Sequence, residues 1–288
     1  MSPLAPSRRT DSPGCSMTEI PGPRWFGPDD PIWRVHGDAA TPIGITTGLL
    51  MLAAEPAYAA TIVTAGLVDD PWDVDDYLHD LTEITTFGTV DDAMVTIEHA
   101  YRDRASFSGV TEHGDYFYGA DPGMVEWAHA ATTWALLASH QRFSATPLNT
   151  AESDEYVRQS ARIAHLQGAR TSPGSARELE QLLRGSRSHA RATTAGRRAA
   201  ARLRETARPC SGAVDTAVSA HRSCRTVVDA AAGLVPSDVR RALGLPHRPV
   251  DRAALFGRLS QAHEGLGAPV LTTPPPIAAP SALRADIA

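Results

Sequence analysis

Residues 89–143 read TVDDAMVTIEHAYRDRASFSGVTEHGDYFYGADPGMVEWAHAATTWALLASHQRF, two helical patterns on either side of a loop that contains glycine and tyrosine. Thr89 and Asp92 have the form of a capping box, a hydroxyl and an acid three residues apart that satisfy the first free backbone N–H groups. Val90, Met94, Ile97 and Tyr101 then recur at helical spacing and predict one packing stripe. His99 falls on another side, beside Val95, so this helix is expected to turn a second face toward a ligand or another core element. The second pattern opens at Asp121 as N-cap, with Pro122 in the first helical position, where its missing N–H costs nothing. Met124, Trp127, Ala131, Trp134 and Ala138 form its main stripe; Val125, His129, Thr132, Leu136 and His140 form the opposite side. No Asp, Glu or Arg lies between Glu126 and Arg142, which predicts burial nearly all round.

Outward from this pair the chain keeps to the helical period, with no strand alternation and no tandem repeat. The aromatic stretch RWFGPDDPIWRVHGD (24–38) is expected to be a turn-rich entry pinned by Trp25, Phe26 and Trp33. A buried helix is predicted over 43–54, another from Pro56 to about Val63, and a third over 74–85 with Asp73 as its cap and Gly88 as its end. DDPWDVDD ahead of the third reads as a turn. Thr150 is expected to cap the next helix and Gly168 to close it. One kinked or two separate Ala/Arg-rich helices follow, from about Ser172 to Ala207, then helices over 213–234, from Pro236, and over 251–264. The expectation is an all-α protein, a single globular domain of about eight to ten helices over 24–266. Residues 1–23 and the Pro-rich 267–288 are expected to be disordered tails.

Composition narrows the chemistry. The chain has 288 residues, a net charge of -6 and no lysine, all 27 basic residues being arginine. That removes Schiff-base and pyridoxal-phosphate catalysis, the P-loop lysine and the protein-kinase lysine. The negative charge gives no reason to expect nucleic-acid binding. Acids concentrate before Tyr156 and arginines after it, a dipolar surface or a docking site for an acidic partner. Cys15, Cys210 and Cys224 have no metal-ligand spacing, which suggests a reducing, cytoplasmic setting. The apolar stretch 39–54 is shorter than a bilayer span, so a core helix is expected there and no transmembrane segment. GxSxG, HExxH, the two ExxH motifs of a di-iron bundle and GxGxxG are not found as sets in this sequence.

The candidate chemistry rests on histidines. His99, on a helix with two weakly polar sides, reads either as a core histidine bonded to a carbonyl or as an axial ligand of haem iron, which needs a rigidly held, unprotonated nitrogen. Arg102 and Arg104, just beyond it, read either as a solvated helix end or as partners for haem propionates. His129 reads as a ligand, a pocket group or a packed residue. His36 reads as structural.

Six pieces carry a resemblance: FGPDDPIWRVHGD (26–38), GLLMLAAEPAYA (48–59), TTFGTVDDAMVTIEHAYRDR (85–104), DYFYGADPGMVEWAHA (115–130), PLNTAESDEY (147–156) and LVPSDVRRALGLP (234–246). In this order they resemble the MpaB-type oxygenase family, which includes the catalytic domain of rubber oxygenase, the latex-clearing protein. The resemblance implies an all-helical fold, a b-type haem held by one histidine, and dioxygen activation on hydrophobic, often isoprenoid, chains. It assigns the iron to His99 and places His129 near the pocket. It therefore implies a haem-b-dependent oxygenase or oxidoreductase acting with dioxygen on a small hydrophobic substrate; the alternative is a degenerate haem- or lipid-binding module without turnover. The chain departs from the family where an arginine and a threonine are replaced by Val74 and Leu78, where a histidine is replaced by Glu55, and in lacking the distal lysine of rubber oxygenase.

Overall fold

The computed structural model describes residues 22–68, 70–186, 191–207 and 225–246. Among these, helices dominate: α1 (Pro31–His36), α2 (Thr41–Ala53), α3 (Pro56–Thr64), α4 (Trp72–Phe87), α5 (Val90–Ala105), α6 (Pro122–Phe143), α7 (Thr150–Leu166), α8 (Ala176–Ser186), α9 (Thr194–Glu205), α10 (Arg225–Leu234) and α11 (Ser237–Ala242). The all-α expectation holds, with more helices than the eight to ten anticipated. The helix not expected is α1, a six-residue helix inside the aromatic entry segment, opened by Pro31 and closed at Gly37. The helix expected over 251–264, both expected tails except Gly22 and Pro23, and all three cysteines lie outside the described residues.

Helix α2 is the centre of the molecule. Every residue from Ile43 to Ala53 is buried, and its two sides serve two cores. One side packs Ile43, Leu49 and Leu50 with Leu203 of α9 and Val227 and Ala231 of α10. The other packs Ile45 and Met51 with residues of α1, α6, α7 and α8, among them Ile32, Leu136, Tyr156 and Leu179. A helix covered on both sides has no need of a polar face, which is why its sequence shows none. Each such buried Ile or Leu contributes roughly 1.5–3 kcal/mol. α2 and α6 meet closely at Gly44, where a Cβ would sit 2.9 Å from the Leu136 Cα. No described helix is long and apolar enough to cross a membrane; α2 and α3 pass that test only as a pair, bent by 97°.

Local signals place the helix ends. Thr89 and Asp92 form the expected capping box of α5, with the Asp92 N–H donating to the Thr89 hydroxyl at 3.2 Å. Asp121 accepts from Gly123 N–H and Met124 N–H at the start of α6. Two predicted caps move. α4 begins at Trp72 after Pro71, so Asp73 lies inside its first turn, where its charge complements the helix dipole. α7 is capped by Asn149, which forms a capping box with Glu152, one residue before the threonine expected to do so. Gly168, at φ 107°, closes that segment as expected. The Ala/Arg-rich region forms two helices, and Gly196 lets the first turn of α9 pass the Ala53 carbonyl, which an added Cβ would approach to 1.9 Å.

The loop between α5 and α6 contains the only strands among the described residues. Ser108–Val110 and Tyr116–Tyr118 pair as an antiparallel hairpin with Gly109 opposite Phe117. Phe117 is buried, while Tyr116 and Tyr118 face outward. This period-two alternation is three residues long, too short to register in a sequence scan.

Candidate functional site

A cavity of about 590 Å³ lies among α2–α7, within the range of small-molecule sites. Leu49 and Leu52 of α2, Ile62 of α3, Leu81 of α4 and Leu136 of α6 make much of its wall aliphatic. The side of α6 that carries Val125, His129, Thr132 and Leu136, read from the sequence as distinct from the main stripe, is the side that faces the cavity. None of the α6 residues from Met124 to Gln141 is exposed, as the lack of charge predicts. Val95, read from the sequence as part of the second inward face beside His99, is instead 43% exposed on the outside of α5.

α5 turns Thr96, His99, Ala100, Asp103 and Arg104 to the cavity. These positions recur at three- and four-residue intervals and share one face. Arg102 lies around the helix from that face, exposed and paired with Glu98. It does not line the cavity; Arg104 does. The Arg104 Nη2 donates to the Gln167 carbonyl at 2.9 Å, and its guanidinium also hydrogen-bonds Tyr77. The buried stripe of α5 is Ala93, Ile97 and Ala100, whereas Met94 and Tyr101 are 44% and 46% exposed. Small residues, not the largest apolar ones, let α5 lie against α4.

The two candidate histidines occupy the wall in different states. His99 is exposed at the cavity's edge, and no described residue hydrogen-bonds its ring. His129 is anchored. Its ring donates to the Ser160 backbone carbonyl, and its Nε2 is buried with no hydrogen-bond partner. Burial, with a smaller contribution from His165, lowers its pKa to about 4, so the ring is neutral at physiological pH.

Sequence reading gave no site role to several further wall residues. His36 lines the cavity, with Nδ1 2.6 Å from the Thr86 hydroxyl and Nε2 3.2 Å from that of Tyr156. Burial, then the nearby His129 and His140, lowers its pKa to about 3. The Tyr58 hydroxyl donates a hydrogen bond to the Met124 carbonyl at 3.1 Å. Tyr77 is pushed up to about 12 by burial, partly offset by Arg104; it stays a phenol and can donate a hydrogen bond. Val74 and Leu78, the aliphatic replacements in α4, both line the cavity. Glu55 instead caps α3, accepting from the Tyr58 N–H at 3.0 Å.

No cluster of three or more His, Cys, Asp or Glu side chains with metal-binding geometry occurs among the described residues. A haem needs only one protein nitrogen together with an apolar slot. The residues present fit that requirement: His99 offers accessible ring nitrogens at the edge of a largely aliphatic cavity, and Arg104 is a cation able to meet carboxylates. The model of the family described as ER-bound oxygenase mpaB/B'/Rubber oxygenase, catalytic domain, matches residues 33–264. No curated protein and no solved structure gives a significant match.

Proposed function

The chain belongs to the mpaB/rubber oxygenase catalytic-domain family, and from that premise we propose that it is a haem-dependent oxygenase acting on a hydrophobic small molecule. The observation that carries this reading is the aliphatic cavity with His99 accessible at its edge and His129 neutral on its wall. His99 would supply the axial nitrogen, in keeping with its match to the family pattern and with its ring being free of described partners. When bound, the haem would supply the dioxygen-activating iron that side chains lack.

The protein's own residues do the rest. Leu49, Leu52, Leu78 and Leu136 exclude water and hold an apolar chain by burying it. His129, anchored on Ser160, keeps an uncharged imidazole in that wall, so no buried charge competes with an apolar ligand. Tyr77 contributes a hydrogen-bond donor whose oxygen is polarised by Arg104. Apolar groups at Val74 and Leu78 leave this part of the wall without the polar pair that the family resemblance leads one to expect. That observation supports a second reading, a haem- or lipid-binding module without turnover.

Haem titration followed by absorption and iron content, then oxygen uptake with long-chain apolar substrates, tests both readings. Haem uptake with substrate-dependent oxygen consumption is expected. Uptake without consumption favours the binding module. A colourless protein that ignores added haem overturns both haem readings.

A further inference from the structure

His129 leaves one polar atom of the apolar wall unmatched. A neutral imidazole carries a single N–H, and here it is spent on the Ser160 carbonyl of α7. Nε2, buried and without a hydrogen-bond partner among the described residues, is therefore a bare lone pair. It can accept a hydrogen bond and cannot donate one. His36, the other buried imidazole of the wall, differs: both of its nitrogens are matched, by the hydroxyls of Thr86 and Tyr156.

Other hydroxyls of the wall have their protons committed elsewhere. Thr61, Thr85, Thr96 and Thr132 line the same cavity. Each donates to a carbonyl one turn back in its own helix, those of Ala57, Leu81, Asp92 and Ala128. The Tyr58 hydroxyl is taken by the Met124 carbonyl. Donors remain at Tyr77 and Arg104, on α4 and α5, whereas His129 belongs to the side of α6 that carries Val125 and Leu136. A buried acceptor left unmatched costs more than an ordinary hydrogen bond gains, so this side of the wall favours a ligand that brings its own donor. A carbonyl or ether oxygen has only lone pairs to set against Nε2, and a carboxylate adds a buried charge. A hydroxyl supplies the hydrogen and little else that is polar.

We propose that the cavity selects an aliphatic alcohol, its hydroxyl donating to His129 Nε2 and its chain lying along Leu49, Leu52 and Leu136. This rests on the reading of the cavity as a substrate site and narrows its substrate class. It makes His129 a specificity-determining residue, distinct from the iron ligand assigned to His99.

The test is isothermal titration of the purified full chain, at neutral pH, with n-octanol and with its isomer methyl heptyl ether, which has the same atoms but no O–H. The alcohol is expected to bind about tenfold more tightly. His129→Phe, which keeps a ring but no acceptor, should abolish the preference by weakening the alcohol alone. His129→Gln, whose side-chain carbonyl can accept, should restore part of it. The wild-type comparison stands whether or not either variant folds. Equal binding by the wild type, preference for the ether, or a preference that survives His129→Phe overturns the hydroxyl inference and leaves the apolar substrate site standing. If neither ligand binds, the substrate-site reading falls as well, whereas haem uptake is decided separately by its spectrum.

Discussion

His36 and His129 are neutral inside this fold because burial penalises the imidazolium, and that fixes a pH dependence. Their folded pKa values, about 3 and about 4, lie below the unfolded value of 6.5. The unfolded chain therefore takes up protons first as pH falls. The stability of the neutral-ring fold is fully present above about pH 6.5 and declines from there through pH 4, by up to about 1.4 kcal/mol per pH unit for each histidine. Denaturant unfolding at pH 7 and pH 5 should show this loss, and His36→Gln should flatten the slope; an unchanged slope would mean that His36 titrates normally. At this same scale, sequence and structure agree in part. His99 was recognisable because it stands apart from the apolar residues of its helix. Arg102 and Arg104 were indistinguishable until the facing of α5 was known, and Asp73 was read only as a helix cap, not as a residue of the cavity wall. His36 looked structural, and its two hydroxyl partners are fifty and 120 residues away, beyond any local signal.

Elements were legible where the determinant is local. The capping box of α5 and the Asp-Pro start of α6 involve residues within three positions of each other. Thr89→Ala should accordingly cost about 1 kcal/mol, measured by chemical denaturation. Where the determinant is a neighbouring helix, the sequence points to the largest apolar residues and misses the close approach. α5 buries Ala93, Ile97 and Ala100 while Met94 and Tyr101 face out. Two glycines of α2 make this quantitative. A Cβ at Gly44 would lie 2.9 Å from the Leu136 backbone, whereas one at Gly48 would meet Thr132 at an ordinary 3.5 Å. Gly44→Ala should destabilise by about 1–3 kcal/mol. Gly48→Ala should be neutral, or stabilising by up to about 1 kcal/mol through helix propensity. Equal effects from the two substitutions would show that α2 and α6 do not approach as described.

At the scale of the whole molecule, a buried helix with two covered sides organises two cores, and the cavity opens where α4 and α5 close over the second of them. Periodicity alone was enough for the all-α architecture, because helices fully buried by their neighbours betray themselves through missing charge. The cavity was only half visible: the side of α6 that carries His129 was distinguished from its main stripe and the helix over 43–54 was read as buried, but α3, α4 and α7 supply the rest of the wall through long-range packing. Family membership is consistent with oxygenase chemistry, and the cavity is the site proposed for it. The most direct test is a haem titration of the wild-type chain, His99→Ala and His129→Ala, followed by the Soret band. Wild type and His129→Ala should take up haem, the latter with a shifted spectrum at most, and His99→Ala should lose the ligated band. Uptake by none of the three, or loss only in His129→Ala, would contradict the assignment of the iron to His99.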